Sequence, residues 1–156
     1  MTIIRKMKEN EYPLLEDFLY LAIFIPEGES KPSKDIIYDD DLYVYISGFG
    51  KEADDFCMVA ADDDKVIGAC WCRIMDDYGH IDNNTPSIAM SMLEEYRNQG
   101  IGTRLLNEFL NELRNKGYKK VSLSVQKANY ALNMYIKCGF KIYMDNNEEY
   151  ILVCNL

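Results

Sequence analysis

The strongest periodic signal in the chain is an amphipathic segment near its middle. Apolar residues recur at helical spacing after Gly100, and Gly117 follows the last of them. Such a stripe buries one face of a helix, and glycine commonly ends helices because it adopts the left-handed conformation at little cost. We therefore predict a helix from Ile101 to Gly117. Its buried face comprises Ile101, Leu105, Leu106, Phe109, Leu110 and Leu113.

Alternation of apolar with polar or small residues predicts strands on both sides of this helix. Residues 87–92 and 121–126 alternate with a period of two. This period sends successive side chains to opposite faces of a sheet. The same pattern predicts five further strands, and the turn of three aspartates at 62–64 joins two of them as a hairpin. These five strands are 2–6, 56–61, 65–75, 141–144 and 150–154.

Two more helices are predicted before the hairpin. Residues 10–24 carry an apolar stripe, with Pro13 in the first turn, where proline is tolerated. We predict a second helix at 34–46, although Tyr43 to Ile46 would also suit a strand. Nothing along the 156 residues marks a linker or a repeat, so we predict a single domain spanning 1–156.

The candidate chemistry begins at the junction between strand 87–92 and the central helix. The junction reads Arg97-Asn98-Gln99-Gly100-Ile101-Gly102. A helix that begins at glycines exposes main-chain N–H groups, and these donors together with the helix dipole favour an anion. Thr103 and Arg104 follow, so this is neither a Walker loop nor the three-glycine dinucleotide fingerprint. The sequence therefore predicts a phosphate-bearing ligand here.

Two signatures in this order resemble those of the GNAT superfamily of N-acetyltransferases. The junction matches R/Q-x-x-G-x-G/A, the loop that in the superfamily holds the diphosphate of coenzyme A. A second signature, N-x-A-x-x-x-Y-x-x-x-G-F, is matched by the segment 129–140. Together with the strand and helix between them, the two signatures span Ser87 to Phe140, about a third of the chain. The residues that carry the second match are Asn129, Ala131, Tyr135, Gly139 and Phe140.

The resemblance implies an α/β (α+β) fold with a mixed, twisted, mostly antiparallel sheet of about seven strands and helices on both faces. In that fold the strands at 87–92 and 121–126 splay apart, so that the coenzyme enters the gap and the acceptor comes from the other side. The implied activity is acetyl-CoA-dependent N-acetylation of a primary amine by direct transfer in a ternary complex. A coenzyme A-binding sensor without catalysis and, more remotely, an unrelated nucleotide-binding module stay open as alternatives.

The resemblance also assigns roles to individual residues. The main chain of Ser91, Met92 and Leu93 would pair with the pantetheine arm, and Asn129 would bind the same arm. Tyr135 would be the general acid, since a phenol with a pKa near ~10 can protonate a thiolate whose conjugate acid has a pKa near ~8.5. The expected diphosphate site comprises Gln99, Gly100, Ile101, Gly102, Thr103 and Arg104, with Arg97 and Arg104 as local cations.

The general base is not fixed by either signature. His80 is the only histidine in the chain, and imidazole titrates near neutral pH, so we take it as a candidate. The carboxylates of Glu27, Asp82, Glu94 and Glu95 are rivals.

The composition of the chain limits the kinds of binding partner that the protein can have. The net charge of −9 disfavours nucleic acid as a partner, and runs of aspartate would attract a cationic small-molecule amine.

The five cysteines do not show the spacing of a disulfide framework, and Cys70 with Cys72 lacks further metal ligands nearby in the sequence. We therefore predict neither disulfides nor a metal site. No apolar run is long enough for a membrane span or signal peptide, so we expect a cytoplasmic protein with no membrane partner. Oligomeric state stays open, with a homodimer among the options.

Overall fold

One sheet of seven strands forms the centre of the protein, and the computed structural model describes all residues from Met1 to Leu156 around it. Its strands in chain order are β1 (Thr2–Lys6), β2 (Phe56–Asp62), β3 (Lys65–Arg73), β4 (Ser87–Met92), β5 (Lys120–Gln126), β6 (Lys141–Asn146) and β7 (Glu149–Asn155). Their order across the sheet is β1-β2-β3-β4-β5-β7-β6. All neighbours are antiparallel except β4 and β5. The expected mixed, mostly antiparallel sheet with helices on both faces is confirmed.

Four α-helices accompany the sheet. They are α1 (Leu15–Ala22), α2 (Asp40–Tyr43), α3 (Ile101–Asn115) and α4 (Ala131–Lys137). Helix α3 buries all six residues of the predicted apolar stripe. None of the four helices combines the length and the apolarity that crossing a bilayer requires.

The structure corrects two of the predicted helices. The segment predicted at 10–24 begins as a 3-10 helix, Glu9–Leu14, which contains Pro13, and becomes α-helical only at Leu15. The helix predicted at 34–46 is not continuous. It is divided into a 3-10 helix, Lys34–Tyr38, and the short α2, because Asp39 between them is extended, with φ −62° and ψ 139°.

The hydrophobic core lies in two layers, one on each face of the sheet. Alternation along β3 shows this directly, since Cys70 and Cys72 pack on the side of α3 while Ala69 and Trp71 pack on the side of α1. The two thiols are completely buried, and this burial raises their pKa. They therefore serve as small apolar core residues.

Arg73 fixes the irregular segment that follows α2 against the sheet. Its guanidinium donates to both carboxylate oxygens of Asp55, at 3.0 Å each, and to the carbonyls of Val44 and Ser47, at 3.0 and 2.8 Å. The indole N–H of Trp71 donates to the carbonyl of Tyr45 at 3.1 Å. These bonds set the position of Tyr45 at the sheet surface.

Strands β4 and β5 are joined by a single pairing, Ser87 with Ser122. Beyond this pair the two strands diverge, which is the splay that the family resemblance implied. The loop before β4 packs closely on β5, where a Cβ on Gly79 would lie 3.0 Å from the main chain of Leu123 and Ser124. The divergence opens a gap in the middle of the sheet, because neither strand has a partner along that edge.

Candidate active site

The gap between β4 and β5 is part of a cleft of about 1210 Å³. Its walls come from β4, the loop leading to α3, β5, the beginning of α4 and the residues after α1. The segment around Tyr45 and Tyr78 and the first residues of β7 complete the lining. A cleft that passes between two strands is accessible from both faces of the sheet, so it can hold two ligands that meet in the middle.

The loop before α3 presents a row of unused main-chain donors to this cleft. None of the N–H groups from Asn98 to Thr103 donates to another group of the protein. Asn98 and Gly100 have positive φ, 61° and 80°, and this turns the chain sharply into the fifteen-residue α3. Adjacent free N–H groups at the N-terminus of a helix form an anion site.

The side chains of this loop divide into two groups. Arg97 donates through Nε to the carbonyl of Met92 at 3.1 Å, and Gln99 donates to the carbonyl of Glu95 at 3.1 Å. These two side chains therefore brace the loop. Thr103 lines the cleft, whereas Arg104 is exposed on the first turn of α3 and has no ion-pair partner. The side chain of Ile101 is buried in the core, so only its main chain faces the loop.

Hydrogen bonding to β3 decides which main-chain groups of β4 face the gap. The N–H of Leu93 donates to the carbonyl of Ile67 at 2.8 Å. In an antiparallel pair the residues alternate between bonding to the partner and pointing away from it. In this register Ser91 and Leu93 bond to β3, whereas Met90 directs its N–H and C=O groups into the gap and Met92 its N–H group. The carbonyl of Met92 accepts the bond from Arg97. Of the residues expected to pair with the pantetheine arm, Met92 therefore has its main-chain N–H on the gap side together with Met90, whereas Ser91 and Leu93 bond to β3. The assignment of this arm to β4 stays a prediction.

Tyr135 lies where β5 and α4 enclose the cleft. Its ring is buried and packs edge-on against Phe140, with the ring centroids 5.6 Å apart. Its hydroxyl has no hydrogen-bond partner within the protein, and burial raises the pKa of the phenol well above its usual value. The hydroxyl therefore stays protonated and is free to donate.

Asn129 combines two features that the sequence left as alternatives. Its Oδ1 accepts a hydrogen bond from the N–H of Ala131 at 2.9 Å, so it caps the beginning of α4. The residue also lines the cleft, where its amide N–H₂ makes no bond to the protein. The cap fixes the side chain and leaves its donor end available.

The predicted bases are mostly absent from the cleft lining. His80, Glu27, Asp82 and Glu95 do not line it, and His80 has its Nδ1 buried without a partner. Glu94 does line the cleft, but it lies 3.5 Å from Lys31 in an ion pair. A base at His80 would therefore have to act through intervening groups.

Four polar residues that no sequence motif indicated line the cleft together: Tyr45, Tyr78, Ser124 and Glu149. Ser124 donates to Glu149 at 2.8 Å. The bond from Tyr78 to Asp41, followed by burial, raises the pKa of Tyr78 to about 12, while burial raises that of Tyr45 well above its usual range. The only sequence signal was the tyrosine-rich run 43–46, which fits a strand as well as a site.

Comparison with known proteins agrees with this geometry. The model of the GNAT acetyltransferase family matches residues 16–140. The chain is 33% identical over 112 residues to N-alpha-acetyltransferase 30 of Schizosaccharomyces pombe, covering 70% of this chain and 73% of that protein. It is 30% identical over 117 residues to N-alpha-acetyltransferase 50 of Danio rerio, covering 74% of this chain and 66% of the relative. Among solved structures, the PaiA N-acetyltransferase of Thermoplasma acidophilum in complex with coenzyme A superposes with a TM-score of 0.74 at 20% identity, over 100% of this chain and 99% of that one.

These matches and the splayed sheet define the class: the chain belongs to the GNAT family of acetyltransferases. It is an acyltransferase of the acetyl-CoA-dependent N-acetyltransferase type.

Proposed function

We propose that this protein transfers an acetyl group from acetyl-CoA directly to the α-amino group of a polypeptide, within a ternary complex. The observation that carries the proposal is the shared cleft, which joins a row of free N–H groups at residues 98–103 to the unpartnered hydroxyl of Tyr135. The free N–H groups suit a diphosphate, and the hydroxyl of Tyr135 suits a departing thiolate. Both belong to elements that meet at the gap between β4 and β5.

The residues present fit the coenzyme. The N–H groups of residues 98–103 would hold the diphosphate, and Arg104 would add a local cation to a protein whose net charge is −9. The main chain of Met90 and the N–H of Met92 would pair with the amides of the pantetheine arm as an added strand does. Asn129 would donate its amide to the same arm. Acetyl-CoA supplies the acetyl group as an activated thioester.

The chemistry then rests on the groups around the gap. Gap-facing N–H groups of β4 would stabilise the oxyanion that forms when the amine attacks the thioester carbonyl. Tyr135 would donate its proton to the departing thiolate. No cysteine lines the cleft, and burial raises the pKa of Cys138, the cysteine closest in sequence to Tyr135. This supports direct transfer without a covalent enzyme intermediate.

The choice of a peptide α-amine as acceptor is supported by the relatives, whose names describe N-alpha-acetyltransferases. An α-amine has a pKa of about 7.7–8.0, so a substantial fraction is already neutral at physiological pH. The chain spans 73% of the first relative and about two thirds (66%) of the second. A small cationic amine is the competing acceptor, because the cleft also carries carboxylates.

A screen for thiol release from acetyl-CoA tests the proposal. The acceptors are synthetic heptapeptides with free amino termini, varied at the first residue, together with spermidine, free lysine and an aminoglycoside. We expect turnover with a subset of the peptides and acetylation at the α-nitrogen by mass spectrometry. Turnover only with small amines would refute the peptide acceptor. Binding of acetyl-CoA without turnover on any amine would support a coenzyme A sensor instead.

A further inference from the structure

Glu149, at the start of β7, lines the cleft on the face of the sheet opposite the layer that contains Tyr135. We propose that Glu149 is the general base of the transfer and that Ser124 is its positioning residue. This inference rests on the proposed function, since it concerns the same cleft and the same amine.

The sheet register delivers Glu149 to the correct side of the gap. Glu149 pairs with Gln126 across β5 and β7, and Ser124 lies two residues earlier along β5. Side chains at such diagonal positions share a face and lie within reach of each other. Here the Ser124 Oγ donates to Glu149 Oε2 at 2.8 Å, whereas Oε1 has no partner within the protein. One oxygen is therefore held in place while the other is free to accept a proton.

The surroundings of Glu149 are polar and carry no cation bonded to it. Tyr45 and Tyr78 line the same cleft as Glu149, and the hydroxyl of Tyr78 donates to Asp41. The nearest cation along the adjoining strand, Lys127, is paired with Asp145. No ion pair involves Glu149 itself. A carboxylate without a competing cation attracts an incoming ammonium and can then take its proton.

Acid and base lie on opposite faces of the splayed strands. Tyr135 belongs to the core layer on the α3 side. Glu149 shares a face with Ser124, and that face is opposite to Leu123 and Val125 of the same layer. A nucleophile must approach a carbonyl from one side while the proton for the leaving group arrives from another. The gap would give each residue access to a bound thioester from its own side.

The proton balance follows from these positions. Glu149 removes one proton from the acceptor ammonium, and the free amine forms the C–N bond to the acetyl carbonyl. The second N–H proton is lost as the tetrahedral intermediate collapses and the C–S bond breaks, and Tyr135 protonates the departing sulfur. Solvent then takes the proton from Glu149, and the proton lost from nitrogen restores Tyr135. The net products are the amide, free coenzyme A and one proton.

The test compares Glu149→Gln with the wild-type enzyme, using the heptapeptide that gives the highest turnover. We expect kcat/KM at neutral pH to fall about 10²–10⁴-fold, the usual contribution of a general base, with unchanged affinity for acetyl-CoA by calorimetry. The deficit should shrink about tenfold per pH unit as the pH approaches the pKa of the peptide amine, about 7.7–8.0, because a neutral amine needs no base. Ser124→Ala should show a smaller loss, about tenfold, with the same direction of pH dependence.

Glu108→Gln is the control. It removes a carboxylate from the exposed face of α3, outside the cleft lining, where the side chain makes no hydrogen bond or ion pair, and should leave kcat/KM within about twofold. If Glu149→Gln does not fold, Glu149→Asp with the shorter side chain and Ser124→Ala provide the same pH comparison. Wild-type kcat/KM in the Glu149 variants, or a loss that is constant across pH, would overturn the proposal. Absence of wild-type turnover on every amine would overturn the proposed function instead, and this inference with it.

Discussion

Placing a carboxylate in the loop before α3 should abolish binding of the coenzyme. Gly102→Glu adds a side chain and a negative charge next to the N–H groups of residues 98–103, which have no acceptor within the protein. A Cβ at this position would lie 3.3 Å from Met90 Cε and 3.7 Å from Met134 Sδ. Both neighbours are ends of flexible side chains, so the fold should accommodate the first carbon with small shifts.

The magnitude follows from the bonds and charges involved. Each hydrogen bond to a charged phosphate oxygen contributes about 1.5–3 kcal/mol, so displacing two of them costs about 3–6 kcal/mol. A carboxylate about 5 Å from one diphosphate charge adds about 3 kcal/mol of repulsion at an effective dielectric of about 20. Since 1.4 kcal/mol corresponds to about a tenfold change, the dissociation constant for acetyl-CoA should rise by at least about a thousandfold.

Isothermal titration with acetyl-CoA measures this change, and thermal unfolding without ligand checks the fold. Gly102→Ala adds only the Cβ that contacts Met90, without the longer side chain or the charge of glutamate. It should weaken binding of acetyl-CoA much less than Gly102→Glu. Gly102→Gln has almost the same shape as glutamate without its charge, so the difference between the two variants gives the electrostatic part, which should decrease at high salt. A Gly102→Glu protein that binds acetyl-CoA within about threefold of wild type would refute the assignment of this loop.

Three further predictions concern catalysis and stability. Tyr135→Phe should lower kcat about 10²–10⁴-fold with unchanged acetyl-CoA affinity and unchanged stability, because the lost hydroxyl has no partner within the protein. Arg73→Met should lower the unfolding free energy by about 3–5 kcal/mol in urea titrations, because it leaves the fully buried carboxylate of Asp55 unpaired. The pKa of Glu11 is lowered from 4.5 to about 2, first by the hydrogen bond from Arg5, so this pair stabilises the fold above about pH 4.5. That contribution, about 1–2 kcal/mol after solvent screening, should be lost as the pH falls towards 2, and Arg5→Met should remove most of this step.

A specific outcome would contradict each of these three predictions. Undiminished turnover in Tyr135→Phe across the pH range would place the general acid elsewhere. A loss below about 1 kcal/mol in Arg73→Met would mean that water reaches Asp55 in the variant. An acid unfolding profile that is identical with and without Arg5 would assign the pH dependence to other carboxylates.

Local sequence patterns determined most of the elements and the loop that defines the family. The alternation in β4 and β5, the stripe of α3 and the glycines at 100 and 102 each depend on neighbours a few residues apart. Strand β1 and strand β4 have the predicted bounds for this reason. Side-chain periodicity is a local property, so the sequence carries it without knowledge of the partners.

The tertiary structure alone decided which atoms meet in the cleft. Whether Met90 or Ser91 faces the gap depends on the hydrogen-bond register with β3, and both choices satisfy the same alternating pattern. Glu149 reaches Ser124, 25 residues away, only because β7 inserts beside β5. His80, chosen from its chemistry, lies outside the cleft lining because its loop packs against β5 instead. These outcomes rest on contacts between distant segments, and residue type alone does not encode such contacts.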